Sequence, residues 1–142
     1  MKQPDALVVF HGHGDHWLSR LLRPGFRHVF CAIDDGRYWI AIDGKMGVPE
    51  IKVVAGADYD LESFYLDQGF TVLATTMGRY PPPGPIAIAN CVGMVKAVLA
   101  LSAPLAVTPY GLYRRLTRRM ARSNRRISTI NRKFGASLSS EN

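Results

Sequence analysis

The chain has 142 residues, 47% of them hydrophobic, which is enough for one buried core and too little for two comfortable domains. Its two cysteines exclude a disulfide framework of the kind that holds small secreted proteins together. The net charge of +7 is carried by the C-terminal end, because residues 109–142 contain nine Arg or Lys and one acid. The remaining 108 residues are close to neutral, with nine basic and ten acidic groups.

Neither the N-terminal segment nor the longest apolar segment of the sequence indicates export or membrane insertion. The N-terminal segment MKQPDALVVF lacks the long apolar stretch and the cleavage site of a secretory signal, so we expect synthesis in the cytoplasm. The apolar segment 85–107 is nearly long enough to span a bilayer, but it contains Lys96 and is interrupted by Pro104. We therefore expect a buried helix there, preceded by an extended lead, and no transmembrane segment.

The first elements predicted are a strand and a hairpin. ALVVF, residues 6–10, is a short apolar run suited to a buried strand. The segment RHVFCAIDDGRYWIAIDG, residues 27–44, contains two strand-like runs around Asp35-Gly36, a dipeptide favoured in two-residue hairpin turns. With these two residues as the loop, His28 lies opposite Asp43 on one face. A carboxylate in that position orients an imidazole and stabilises its charged form. The other face is apolar and includes Cys31, which we interpret as a buried packing residue.

The rest of the body alternates between the two element types. We predict strands at residues 50–56 and 70–76, and between them a short helix capped by Asp58 that ends near Gly69. The proline cluster YPPPGP predicts an extended connection. A helix follows from NCVGMVKAVLALS, and a second begins with Thr108 as N-cap and Pro109 in first position. Asp15 is interpreted as the cap of a further short helix after the first strand.

Cys91 begins the apolar helix, directly after Asn90. A thiol in this place feels the positive end of the helix dipole and the free backbone N–H groups, both of which favour the thiolate. The same N–H groups can donate to an oxyanion formed when a thiolate attacks a carbonyl. The sequence therefore offers a nucleophile in Cys91, a base in His28 and an orienting carboxylate in Asp43.

This order of residues resembles the circularly permuted branch of the NlpC/P60 papain-like superfamily. A histidine at the start of a hairpin strand, a polar residue one strand later, and NC at the start of a helix are similar to the YiiX-type proteins and to relatives of lecithin:retinol acyltransferase. The resemblance implies a small α+β domain in which a catalytic-type helix packs on an antiparallel sheet. It also implies hydrolysis or transfer of an amide or ester acyl group, on a peptide, peptidoglycan or acyl substrate, without a cofactor.

The sequence departs from one part of that branch. The retinol-acyltransferase relatives follow Asn-Cys with Glu-His, whereas this chain has NCVGMV, and their third polar residue is usually a histidine where Asp43 is proposed here. A competing hypothesis is a structural or adaptor protein, such as a component of a phage virion, in which the site is vestigial. Its basic tail would bind nucleic acid or neighbouring subunits.

FHGHGDHW, residues 10–17, raises a third hypothesis, because H-x-H-x-D-H is typical of metallo-β-lactamase centres. Such a centre needs further histidines downstream, and after His16 this sequence has only His28. A smaller zinc site formed by His11, His13 or His16 with one carboxylate is left open. The alternative is a glycine-rich turn whose histidines lie at the surface or in a substrate cleft.

The basic end marks the one compositional boundary. We expect a single folded domain from residues 1–108 and the first part of the helix at 109–120, and a basic, partly disordered tail at 121–142. The arginines and lysine between Arg114 and Lys133 can neutralise phosphates on nucleic acid or on a lipid surface, or bind an acidic protein.

Overall fold

The computed structural model describes residues 5–13, 20–45, 48–78 and 90–138, and these form an α+β structure with one antiparallel sheet. In chain order the elements are β1 (Ala6–His11), β2 (His28–Asp34), β3 (Tyr38–Lys45), β4 (Val48–Gly56), α1 (Leu61–Asp67), β5 (Thr71–Thr75), α2 (Cys91–Val98) and α3 (Pro109–Leu138). The predicted strands at 6–10, 50–56 and 70–76, the hairpin and the helices starting at Cys91 and Pro109 are thereby confirmed.

The sheet is open and has the strand order β4-β3-β2-β1-β5. Each neighbouring pair is antiparallel, and β1 lies between β2 and β5. Residues 6–10 of β1 are at most 3% exposed, because the strand is paired on both edges and covered on both faces. The apolar run that predicted this strand is therefore explained by two-sided burial rather than by alternation.

The two faces of the sheet carry separate apolar clusters, because successive side chains of a strand point to opposite sides. One face, called the α2 face here, packs against α2 and α3, and its buried strand residues are Ala6, Val8, Phe10, Val29 and Cys31. The other face, called the α1 face, packs against Leu61 and Tyr65 of α1, and its buried strand residues are Leu7, Val9, Phe30, Ala32 and Trp39.

The register of the β2–β3 hairpin differs from the predicted one by two residues. Cys31 pairs with Ile42, and the pairing continues to Asp34 with Trp39. The reason is the side chain of Asp35. Its Oδ1 accepts hydrogen bonds from the backbone N–H groups of Arg37 and Tyr38, at 2.8 and 2.7 Å. Gly36, with φ of 94°, and the residue after it form the loop instead of Asp35-Gly36. A shift of two residues keeps every side chain on its predicted face.

The cap of α1 was also assigned to the wrong residue. Asp60, rather than Asp58, accepts the backbone N–H of Ser63 at 3.0 Å. Because β4 continues to Gly56, residues 57–59 are needed for the turn that leaves the sheet, and the helix begins two residues later than predicted. It ends before Gly69, which has φ of 79°, as the sequence predicts.

Helix α3 begins as predicted and extends further. The Thr108 hydroxyl accepts the N–H of Gly111 at 3.1 Å, as an N-cap does. The helix then continues past residue 120, where the sequence analysis placed the end of the folded domain, to Leu138. The division of the chain at residue 120 stays a prediction.

Within the described ranges, no helix combines the length and the apolar character that crossing a membrane requires. The proline-rich connection predicted from YPPPGP and the helix assigned to Asp15 lie outside the described residues.

The loop between α2 and α3 is held by a lysine from α2. Lys96 donates through Nζ to the carbonyl oxygens of Ala103 and Ala106, at 3.1 and 3.0 Å. Two charge-assisted hydrogen bonds to one loop restrict its backbone strongly.

We expect Lys96→Met to lower the free energy of unfolding by about 1 to 3 kcal/mol, because methionine keeps much of the apolar stem but leaves both carbonyl oxygens without their cationic donor. Urea denaturation at pH 7 measures the change. Lys52→Met is the matched control, since Lys52 is 65% exposed and pairs only with Glu50 among the described residues. Its expected effect is within about 1 kcal/mol of zero. Equal losses in the two variants would contradict this role of Lys96.

Candidate functional site

Three chain segments converge at one end of the β2–β3 hairpin: the start of β2, the end of β3 and the start of α2. The ladder between β2 and β3 is paired from Asp34 back to Cys31, and His28 lies beyond that pairing. Helix α2 approaches β3 closely at Gly44, where a Cβ atom would lie only 2.8 Å from Cβ of Met94. Glycine at this position therefore allows the N-terminal half of α2 to approach the end of the hairpin.

His28 and Asp43 form a hydrogen-bonded ion pair at this end of the hairpin. Nε2 of His28 lies 2.6 Å from Oδ1 of Asp43, and the two side chains are only 16% and 21% exposed. The predicted contact is thus present, although the observed register makes the two residues diagonal neighbours rather than direct partners. A short, largely buried contact of this kind fixes the orientation of the imidazole ring.

The environment of His28 changes its pKa in opposing ways. Burial of the ring is the largest single influence and lowers the pKa, but the hydrogen bond and the negative charge of Asp43, together with the neighbouring Cys91, raise the pKa by more than burial lowers it. The net result is a pKa raised from 6.5 to about 9, so the ring is charged at neutral pH. A group whose pKa rises on folding stabilises the native state fully below about 6.5, and the stabilisation is lost as the pH rises through about 9.

Cys91 is the third residue of the arrangement, because it lies close enough to His28 to contribute to the raised pKa of the ring. Since Nε2 of His28 is engaged by Asp43, Nδ1 is the ring nitrogen available to the thiol. Cys91 is partly exposed. The structure therefore brings together all three residues that the sequence analysis proposed as a catalytic set.

The start of α2 is organised by Asn90. Its side-chain oxygen accepts the N–H of Gly93 at 2.9 Å, and its carbonyl oxygen accepts the N–H of Met94 at 3.0 Å. The first two amides of the helix, those of Cys91 and Val92, have no partner among the described residues. These amides are the donors that an oxyanion next to the Cys91 sulfur could use.

His28 connects the two sides of the sheet at this end. Its ring lies near the α1 face, 5.0 Å from the ring of His11, whereas Cys91 packs against the α2-face cluster. The two residues can meet because the pairing of β2 with β3 has ended before His28. On the α1 face, Asp43 lines a small open cavity of about 120 Å³, so its carboxylate is close to solvent from that side.

Cys31 has the packing role predicted for it. Its side chain is fully buried in the α2-face cluster, and Sγ lies 3.8 Å from the carbonyl oxygen of Ile42. Burial, assisted by the negative charge of Asp43, raises the pKa of this thiol to about 12. Cys31 is therefore neutral at physiological pH, as expected of a packing residue.

His11 is a neighbour of the site that sequence reasoning did not connect with it. His11 pairs with His28 across β1 and β2, and its ring also lies 5.1 Å from that of Phe70. The signal that could have identified His11 is that one histidine ends β1 and another begins β2. It becomes informative only once β1 is known to pair with β2.

The proposed zinc ligands are described only in part. The ring nitrogen Nδ1 of His11 accepts the backbone N–H of His13 at 3.1 Å, while His16 lies outside the described residues. Among the described residues, no three His, Cys, Asp or Glu side chains lie close enough together to hold a metal ion.

We expect NMR titration to give a pKa of about 9 for His28, with its signal assigned by comparison with His28→Gln. In Asp43→Asn the pKa should fall well below 9, because the lowering effect of burial is then no longer offset by the carboxylate. Asp67→Asn, which changes an exposed carboxylate at the end of α1, should leave the titration unchanged. A value near 6.5 in the wild type, or no response to Asp43→Asn, would refute the described ion pair.

Comparison of the chain with protein-family models, with curated proteins and with solved structures found no match. The chemical interpretation of the site therefore depends on the geometry of Cys91, His28 and Asp43 themselves.

Proposed function

We propose that the protein is a cysteine-dependent hydrolase or acyltransferase that acts on amide or ester bonds. The observation that supports this is the grouping of Cys91, His28 and Asp43: the imidazole is hydrogen-bonded to Asp43, its pKa is raised by both neighbours, and the thiol lies at the start of a capped helix. A charged imidazole next to a partly exposed cysteine favours the thiolate, which is the nucleophilic form.

In the first step the Cys91 thiolate attacks the carbonyl carbon of the substrate and forms a C–S bond. The electron pair of the C=O bond moves to oxygen, where the N–H groups of Cys91 and Val92 can stabilise the negative charge. The tetrahedral intermediate then collapses and breaks the bond to the leaving amine or alcohol. His28 supplies the proton that this leaving group needs, and the product is a thioester of Cys91 and a neutral imidazole.

In the second step His28 acts as a base. The neutral imidazole accepts a proton from water or from an acceptor alcohol or amine, whose oxygen or nitrogen attacks the thioester carbonyl. Release of the acyl group restores the thiolate and the imidazolium. Asp43 keeps the ring oriented through both steps and stabilises its charged form.

The same proposal includes membership of the circularly permuted NlpC/P60 papain-like superfamily, with a peptide or peptidoglycan substrate. Three features support it: the base precedes the nucleophile in the chain, the base lies at the start of a hairpin strand, and the nucleophile begins a helix packed on an antiparallel sheet. Asp43 takes the place of the third polar residue.

A structural or adaptor role, such as that of a phage virion component, is the second candidate function. The observation that favours it is the exposed arginine surface of α3, which the thiol chemistry does not use. The two candidates differ in what Cys91→Ser does. An enzyme of this kind loses its activity and keeps its fold, whereas a structural protein with a vestigial site is unaffected.

We expect incubation with p-nitrophenyl acetate to transfer one acetyl group to Cys91. The thioester is detected as a single acetyl addition by intact mass and located by peptide mapping, and p-nitrophenol is released in a burst equal to the amount of protein. His28→Gln should slow acetylation at pH 7 by about 100-fold or more, because the general acid–base group is lost.

Cys31→Ala is the matched control, since it removes the buried thiol and leaves the site residues in place. It should acetylate at the wild-type rate, and Cys91→Ser should not react. Acetylation of Cys91 at the same rate in wild type and in a folded His28→Gln variant would refute the proposed mechanism.

A further inference from the structure

Helix α3 carries a continuous surface of arginines. Positions 114, 115, 118, 119, 122 and 125 are all arginine, and at about 100° per residue they fall within an arc of roughly 140°. They extend over roughly 16 Å of helix, and all six are exposed. We call this the arginine face. Outside this arc the helix packs on the core through Leu112 and Leu116, which fixes the direction of the arginine face.

The arginine face forms one wall of a groove. Two open cavities of about 310 and 350 Å³ adjoin each other along α3, and both are bounded by Ala103, Arg115 and Arg118. The second wall is the loop 101–106, whose backbone is held by Lys96 through the carbonyl oxygens of Ala103 and Ala106. The groove is therefore built between a helix anchored in the core and a restrained loop.

The charge of this groove is not neutralised locally. Helix α3 contains no Asp or Glu. Among the described residues, no carboxylate lies within ion-pair distance of Arg114, Arg115, Arg118, Arg119 or Arg122. Binding of a polyanion would reduce the mutual repulsion of these neighbouring like charges.

We propose that the arginine face and its groove bind the phosphate backbone of nucleic acid. The described cations of α3 are all arginines, whose planar guanidinium groups can donate two parallel hydrogen bonds to one phosphate. A duplex presents one negative charge per about 1.7 Å of its axis, so several phosphates fall within the length of the arginine face. Contacts of this kind are independent of base sequence.

An anionic membrane is a less suitable partner for this face. A helix that binds a membrane surface inserts a free apolar side between the lipids, and on α3 the apolar residues Leu112 and Leu116 are buried in the core. Three apolar side chains are exposed near the groove, Leu105, Val107 and Met120, but only Met120 lies on α3, so they form no apolar stripe along the part of the helix whose side chains are described. Vesicle binding is therefore an outcome that the experiment has to separate from nucleic-acid binding.

The test is fluorescence anisotropy of the full chain with a labelled 20-base-pair DNA duplex, at salt concentrations from 50 to 200 mM. The groove variant carries Arg115→Gln, Arg118→Gln and Arg122→Gln. Its control carries Arg20→Gln, Arg37→Gln and Lys52→Gln, three exposed cations outside α3. Each triple substitution changes the net charge from +7 to +4, so the two variants lose the same amount of charge at different places. Circular dichroism confirms that both are folded.

We expect the wild type to bind the duplex and the groove variant to bind about tenfold or more weakly at 100 mM salt. The log–log salt slope should fall in magnitude by about 2.7, which corresponds to three lost phosphate contacts. The control variant should keep its affinity within about threefold and retain the slope. A Cys91→Ser variant should bind as the wild type does, because the groove does not depend on the thiol.

Three results would overturn the proposal. The first is the absence of duplex binding by the wild type at 50 mM salt. The second is an equal loss of affinity in the groove and control variants, which would indicate general attraction by net charge. The third is binding to vesicles of phosphatidylcholine and phosphatidylserine, reduced in the groove variant, together with no binding to the duplex.

Discussion

The ion pair between His28 and Asp43 is the interaction on which the arrangement of this sheet end depends. Burial opposes a charge on the imidazole, so a raised pKa requires the carboxylate and the thiol to contribute more than burial removes. The contact also determines which ring nitrogen remains for Cys91. If the pair were lost, burial of the ring would lower the pKa of the imidazole, and the proposed mechanism would lose the cation beside Cys91.

Two local features bring the cysteine to that pair. Glycine at position 44 permits the close approach of α2 to β3, and Asn90 caps the helix so that Cys91 is its first residue. Neither feature is needed for an apolar helix to pack on a sheet. Together they place a thiol, rather than another packing residue, beside the imidazole. Cys31 has a different setting, because its side chain is buried in the α2-face cluster and burial raises its pKa to about 12.

Local signals in the sequence were sufficient for the strands, the helix starting at Cys91 and the contact of His28 with Asp43. They were insufficient where a competing side-chain hydrogen bond decided the local structure. The Asp35 carboxylate accepts backbone N–H groups of the turn and shifts the loop of the hairpin, and Asp60 caps α1 in place of Asp58. The position of His11 beside His28 depends on the pairing of β1 with β2, which are separated by a long connection. The contact of Cys91 with His28 likewise depends on how α2 packs on the sheet.

The pH dependence of the alkylation of Cys91 by iodoacetamide, followed by intact mass in wild type and in His28→Ala, tests the central claim most directly. If His28 stabilises the thiolate, the wild type is labelled rapidly at pH 6 to 7, and His28→Ala is labelled slowly there and accelerates only as the pH approaches that of ordinary thiols, about 8.5. The same pH profile in both proteins would contradict the account, because it would mean that the imidazole has no influence on the sulfur.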